Sequence, residues 1–275
     1  MSVRLDPAIV PVGCFDGGID LFESQYAVPG GVSYNSYVIL DEKTAVLDTV
    51  DPRKTDDWLA NLDGALAGRA PDYLVIHHME PDHAGSIAAL ADRFPGMTLV
   101  GNAKTFPMLA AFTGRSYEGR VLIVKEGDVL DLGAHKLTFV MAPMVHWPEV
   151  MVSYESGSKT LFSADGFGRF GDTDPDAPWT DEARRYYLNI VGKYGAQVQA
   201  LLKKAAGLDI QTVCPLHGPV LSGEALALAL EKYDLWSRYI PEERGVLVAY
   251  ASIHGNTARA ALELAGMLKS EGLTV

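Results

Sequence analysis

The chain has 275 residues, 48% of them hydrophobic and 21% charged, enough to bury a core in one large domain or two smaller ones. With 23 basic against 35 acidic side chains the formal charge is −12, and no Lys/Arg run offers a surface to nucleic acid or an anionic membrane. Two distant cysteines, Cys14 and Cys214, exclude a disulfide-rich scaffold, and no stretch reaches the roughly 18 apolar residues of a membrane span, so a cytoplasmic protein is expected.

Short runs rich in β-branched and aromatic residues predict strands at 10–15, 34–40, 44–48, 73–77 and 98–100. Helical patterns fill the intervals at 55–66, 84–93 and 104–112. Further strands are expected at 120–124, 135–141, 150–154 and 160–163, a long helical region at 180–205, a strand at 211–214 and a helix at 223–238. Hairpin-connected strands flanked by helices read as a mixed α/β layered domain. Near Ile240-Pro241-Glu242-Glu243-Arg244-Gly245 the texture changes to a linker, then a β-run at 246–250 and a helix at 257–270. The expected organisation is therefore one domain over residues 1–243 and the first β-α unit of a second over 244–275, where the closing apolar Leu273-Thr274-Val275 resembles the start of a strand.

The histidines are placed unevenly. His78-Met79-Glu80-Pro81-Asp82-His83 packs four potential ligands into six residues directly after an apolar strand, while His146, Asp165 and His217 each follow a predicted strand end. Side chains at such ends converge on one edge of a sheet. Four such polar groups beside an apolar strand are costly unless something pairs them. Imidazoles mixed with carboxylates suit zinc, iron or manganese, and seven donors exceed the needs of one ion, whereas two ions bridged by a carboxylate would use them. His77 is expected to point away from His78, and His135, with no acidic neighbour in register, reads as structural or exposed.

The pattern H-x-E-x-D-H, with 62 residues between His83 and His146 and 18 between His146 and Asp165, resembles the diiron site of the flavodiiron proteins. Tyr34-Asn35-Ser36-Tyr37, Pro81-Asp82-His83-Ala84-Gly85-Ser86, His146-Trp147-Pro148, Ser163-Ala164-Asp165-Gly166-Phe167-Gly168, Arg185-Tyr186-Tyr187 with Asn189-Ile190, and Pro215-Leu216-His217-Gly218-Pro219 are similar to that family as well. The resemblance implies a metallo-β-lactamase-like αββα sandwich. It also implies one iron on His78, Glu80 and His146, another on Asp82, His83 and His217, and a bridging Asp165. Hydrolases of that fold carry H-x-H-x-D-H and bind zinc. Glu80 in place of the second His adds negative charge and a hard oxygen donor, which favours iron redox chemistry over hydrolysis. Glu80 and Asp165 are the residues expected to adjust charge during catalysis. The segment Phe22-Glu23-Ser24-Gln25-Tyr26 departs from the family in lacking a His that many members carry near the substrate pocket.

Ser252-Ile253-His254-Gly255-Asn256-Thr257, between a predicted strand and a helix, offers hydroxyls and free backbone N–H groups to a phosphate monoester. It resembles the phosphate loop that binds FMN in flavodoxin-like, doubly wound domains. Such a domain takes about 140–150 residues, so this truncated unit is expected to hold FMN poorly and to be incomplete for flavin-dependent turnover. The family resemblance implies reduction of O2 to water or NO to N2O at two irons, with electrons returned through FMN from rubredoxin or an NADH-linked reductase. It further implies a head-to-tail homodimer, with Trp147 near the junction. The competing readings are a dizinc hydrolase of the same fold and a non-enzymatic scaffold with structural metals.

Overall fold

Strands at the centre of the molecule are apolar at nearly every position because both of their faces are buried. All residues of Tyr37–Ile39 and Ala45–Leu47 are buried, and the pleat sends alternate side chains to opposite sides. Tyr37, Ile39, Ala45 and Leu47 share one core cluster with Leu137, Phe139, Met151 and Phe162 of a second sheet. Val38 and Val46 pack the other way, in a cluster with Trp58 and Leu62.

A computed structural model describes residues 5–275; the first four residues fall outside the described residues. The first sheet runs Ile9–Pro11, Tyr37–Ile39, Ala45–Leu47, Tyr73–Val75, Thr98–Gly101 and Val121–Ile123, with its first two pairings antiparallel and the rest parallel. The second runs Val129–Asp131, Lys136–Met141, Met151–Glu155, Thr160–Phe162, Thr212–Cys214 and Leu221–Ser222, and only the Thr160–Phe162/Thr212–Cys214 pair is parallel. In chain order the helices are α1 (Thr55–Leu66), α2 (Pro81–Ala84), α3 (Ile87–Arg93), α4 (Thr105–Thr113), α5 (Thr180–Tyr186), α6 (Gly195–Ala205), α7 (Gly223–Ser237) and α8 (Asn256–Ser270). Leu74 and Leu99 of the first sheet cluster with α1, α3 and α4, while Val152, Leu161 and Val213 of the second cluster with α6 and α7. The result is an αββα sandwich. Among the described residues no helix is long and apolar enough to cross a membrane.

Several expected elements are divided. The predicted strand at 10–15 is two strands in different sheets, Ile9–Pro11 and Cys14–Asp16, separated at Gly13, where a Cβ would lie 2.3 Å from the Tyr34 carbonyl oxygen. The run at 34–40 breaks at Asn35-Ser36, whose side chains donate to Pro215 O (2.9 Å) and Asp48 O (2.9 Å). The helical region at 180–205 divides into α5, a π-turn at Tyr187–Val191, a 3-10 turn at Gly192–Tyr194 and α6. A small hairpin, Leu21–Phe22 with Tyr26–Ala27, lacks any strand-like alternation long enough to be foreseen.

The chain forms two compact units, residues 1–238 and 239–275. Within the second, the expected strand at 246–250 is not a strand. Val246 N–H donates to Thr274 C=O at 2.9 Å, but a strand needs a neighbour to complete a ladder, and among the described residues of this unit none is present.

Candidate metal centre

Four loops that follow strand ends converge at one edge of the sandwich. The segment from His78 to His83 follows Tyr73–Val75 of the first sheet, and His146, Asp165 and His217 follow strands of the second. Glu80 is extended (φ −60°, ψ 139°) and precedes α2, which places Asp82 and His83 in its single turn. Met144, Ala164 and Phe167, which flank His146 and Asp165, all have positive φ, the kind of strain that functional loops retain. Gly218 follows His217 at φ +78°, and a Cβ there would meet Arg169 Cγ at 2.6 Å.

The seven expected ligands are all buried, and they fall into two groups: His78, Glu80, His146 and Asp165, then Asp82, His83 and His217. Asp165 faces both. Its Oδ2 lies 3.3 Å from His78 Nε2 and 3.0 Å from His146 Nε2, while its Oδ1 lies 3.1 Å from His83 Nε2 and 3.8 Å from His217 Nε2. Glu80 Oε2 is 3.2 Å from His78 Nε2 and 3.1 Å from His146 Nε2. Asp82 Oδ2 is 3.4 Å from His83 Nε2 and 3.3 Å from His217 Nε2.

These atoms point at common centres rather than at one another. Both Asp82 oxygens and Asp165 Oδ1 are buried without a hydrogen bond despite their nearby imidazoles. His217 Nδ1 donates to Ser33 O at 2.7 Å and His78 Nδ1 to Glu149 Oε1 at 2.8 Å, since a carbonyl and a carboxylate can only accept. Those bonds leave each Nε2 lone pair facing inward. His83 and His217 then oppose Nε2 to Nε2 at 3.0 Å, and His78 and His146 at 3.3 Å. With neutral imidazoles, three buried carboxylates carry three uncompensated negative charges, which low-dielectric surroundings do not tolerate. Two divalent cations, one per group, satisfy both the lone pairs and the charge.

The electrostatics register the same demand. Burial disfavours charge on His146, but hydrogen bonds to Asp165 and Glu80 push its pKa up to about 9. Burial likewise opposes ionisation of Asp165, yet the charges of His78 and His83 hold it well below the usual carboxylate range. Both shifts express the same excess of buried negative charge, which a bound cation would balance.

His77 stands apart, with Nδ1 2.6 Å from Asp48 Oδ2 and Nε2 2.8 Å from Ser153 Oγ. His135 is a structural residue outside both donor groups, but it does have acidic neighbours: Asp41, across the sandwich, lies 2.9 Å from its Nδ1, and Asp6 is 3.6 Å from its Nε2. Asp41 is 94 positions away, so register along one strand could not reveal it. Trp147 sets its ring edge-on to His78, centroids 5.2 Å apart. Ser252, Ile253, His254 and Gly255 form an exposed loop, with Gly255 at φ +82°, and Asn256 and Thr257 begin α8, whose first turn has no side-chain cap.

Three residues around the centre escaped the sequence reading. Glu149 is fully buried and also accepts from Met79 N at 2.8 Å; a carboxylate just before the buried strand Met151–Glu155 and three positions past His146 was the available signal. Asp48 Oδ1 accepts from His77 N at 2.7 Å. Glu23 lies beside Glu80, and burial followed by that neighbouring carboxyl pushes its pKa up to about 7. Glu23, Arg53 and Asp51 line a polar cleft of about 290 Å³ that reaches Glu80 and Asp82.

Comparison with known proteins gives the same picture. Residues 32–218 match the model of the ODP family beta lactamase. The anaerobic nitric oxide reductase flavorubredoxin of Aliivibrio salmonicida is 33% identical, the match covering 94% of this chain and 53% of that protein. The rubredoxin-oxygen oxidoreductase of Megalodesulfovibrio gigas is 32% identical over 96% of this chain and 68% of its own length. The crystal structure of the flavodiiron protein from Giardia intestinalis superposes with a TM-score of 0.90 at 31% identity, covering 100% of this chain and 69% of that one. The chain spans about half the length of several curated relatives it matches.

Proposed function

Because the chain belongs to the flavodiiron proteins of the ODP β-lactamase family, we propose that it carries the diiron part of an oxidoreductase that reduces O2 or NO. The observation that carries this reading is Asp165, whose two oxygens face two separate donor groups, one of them including the carboxylate Glu80. His78, Glu80 and His146 would hold one iron and Asp82, His83 and His217 the other, with Asp165 between them. Ferrous ions held there would supply the reducing electrons for a diatomic substrate. Glu149 and Ser33 fix the tautomers of His78 and His217 so that Nε2 faces inward. Glu80 adds the negative charge that favours the higher oxidation state of iron over a zinc ion.

The loop from Ser252 to Thr257 would receive the phosphate of FMN on the uncapped N-terminus of α8. A rubredoxin or an NADH-linked reductase as electron donor, and a head-to-tail pair of chains, are the partners that accompany this reading. A dizinc hydrolase is less well supported, since the named relatives are a nitric oxide reductase and an oxygen oxidoreductase.

The test uses protein purified without oxygen. Two irons per chain, with consumption of O2 or NO by the chemically reduced protein in stopped flow, are expected. Two zinc ions without iron, together with ester hydrolysis that needs no reductant, would overturn the proposal.

A further inference from the structure

Behind the metal loops lies a second cavity of different character. It measures about 40 Å³ and is enclosed by the second sheet, α6 and α7. Its middle is walled by Val152, Leu161, Val198 and Leu226, all buried. Its outer rim includes Leu230, which is 40% exposed, and the half-buried Leu201. At the inner end are Val145, Ser163, Gly166 and Phe167. Val145 immediately precedes His146, and Ser163 and Gly166 bracket Asp165, so the loops that present these two ligands also close the cavity.

No polar atom is presented to this space. Ser163 Oγ donates to Gly166 O at 2.6 Å, and Tyr233 OH accepts from Phe167 N at 2.6 Å, so the polar groups at its wall are already engaged. A water there would need about two to four polar partners and finds none, although there is room for one. A small apolar guest needs only dispersion contacts with the aliphatic wall. Size and chemistry together suit a small uncharged gas. The polar cleft beside Glu23 and Glu80 offers the contrasting route, suited to water and protons.

We propose that this apolar cavity is a binding site and entry path for a small uncharged gas, leading from the α6–α7 surface to the back of the His146 and Asp165 loops. The identity of the guest as O2 or NO rests on the proposed function; the existence of the gas site does not.

The test has two parts, both on the full iron-loaded chain. Crystals pressurised with xenon are expected to show the gas in the cavity, and Leu201→Phe, which fills the rim, is expected to remove it, while Leu201→Ala keeps it. In turnover, Leu201→Phe is expected to raise the KM for the diatomic about threefold or more with kcat and iron content unchanged, since the change lies in delivery and not in chemistry. An empty cavity under xenon overturns the inference. So does loss of xenon in Leu201→Phe with an unaltered KM, which makes the space a packing void only. A fully loaded protein that binds xenon here but reduces neither gas overturns the functional reading, and with it the identity of the guest, and leaves the gas site supported.

Discussion

Glu149 Oε1 accepts two hydrogen bonds of 2.8 Å, from His78 Nδ1 and from Met79 N, and so holds both the ring of the first ligand in the His78–His83 segment and the backbone of the residue after it. A ligating imidazole whose far nitrogen is tied to a carboxylate keeps its lone pair on the metal side and gains basicity. Glu149→Leu removes the acceptor and leaves His78 free to turn. Metal affinity is expected to fall roughly 10–100-fold, read by chelator competition against Co(II)-loaded protein. Glu149→Gln keeps an acceptor oxygen and should lose far less. Equal losses in the two variants would show that packing, not the hydrogen bond, is what matters.

Asp165 provides the link between the two donor groups, with Oδ2 3.0 Å from His146 Nε2 and Oδ1 3.1 Å from His83 Nε2. Asp165→Asn keeps the shape but offers one oxygen and one N–H₂, and an N–H₂ cannot ligate a cation. Metal content is expected to fall from two ions per chain to about one, counted by elemental analysis after dialysis. Retention of both ions would mean that Asp165 does not bridge.

Much of this centre is legible in the sequence because its first half is contiguous. Glu80, Asp82 and His83 lie within five positions of His78, and no ordinary turn needs so many ligand groups beside an apolar strand. The strand ends before His146, Asp165 and His217 mark the remaining loops, though only folding brings them within 4 Å of the first. Glu23 and Asp48 carry no such mark. Their roles depend on contacts across 57 and 29 positions, with Glu80 and His77 respectively, and isolated acids in turns are common. The fold shows the same boundary. Alternation predicts most strands, but it cannot show that Asn35 and Ser36 will interrupt one run to hold Pro215 and Asp48. Nor does a local apolar run at 246–250 make a strand, because strand formation needs a partner.

Replacing Glu80 by histidine tests the charge argument. Glu80→His removes one of the three buried carboxylates and substitutes a softer nitrogen donor, the set that zinc hydrolases use. The zinc-to-iron ratio of protein grown with both metals is expected to rise, and turnover with O2 or NO to fall. An unchanged iron content in this variant would contradict the role given to Glu80.

At the strand turns, Asp41 ties the two sheets through His135. Its Oδ2 accepts from His135 N (2.7 Å) and from His135 Nδ1 (2.9 Å), and its Oδ1 accepts from Glu42 N (2.7 Å). Burial works to raise its pKa, but these donors prevail and hold it below the usual carboxylate value. A carboxylate with a depressed folded-state pKa stabilises the fold above its unfolded value, near 3.9, and that contribution is lost as pH falls through the lower folded value. Asp41→Asn is therefore expected to lower Tm by roughly 2–4 °C at pH 7, with the difference from the parent shrinking as pH drops below about 4. Calorimetry of both proteins between pH 3 and 7 decides it. A gap that stays constant or widens toward acid would assign the loss to packing and not to the charged form of Asp41.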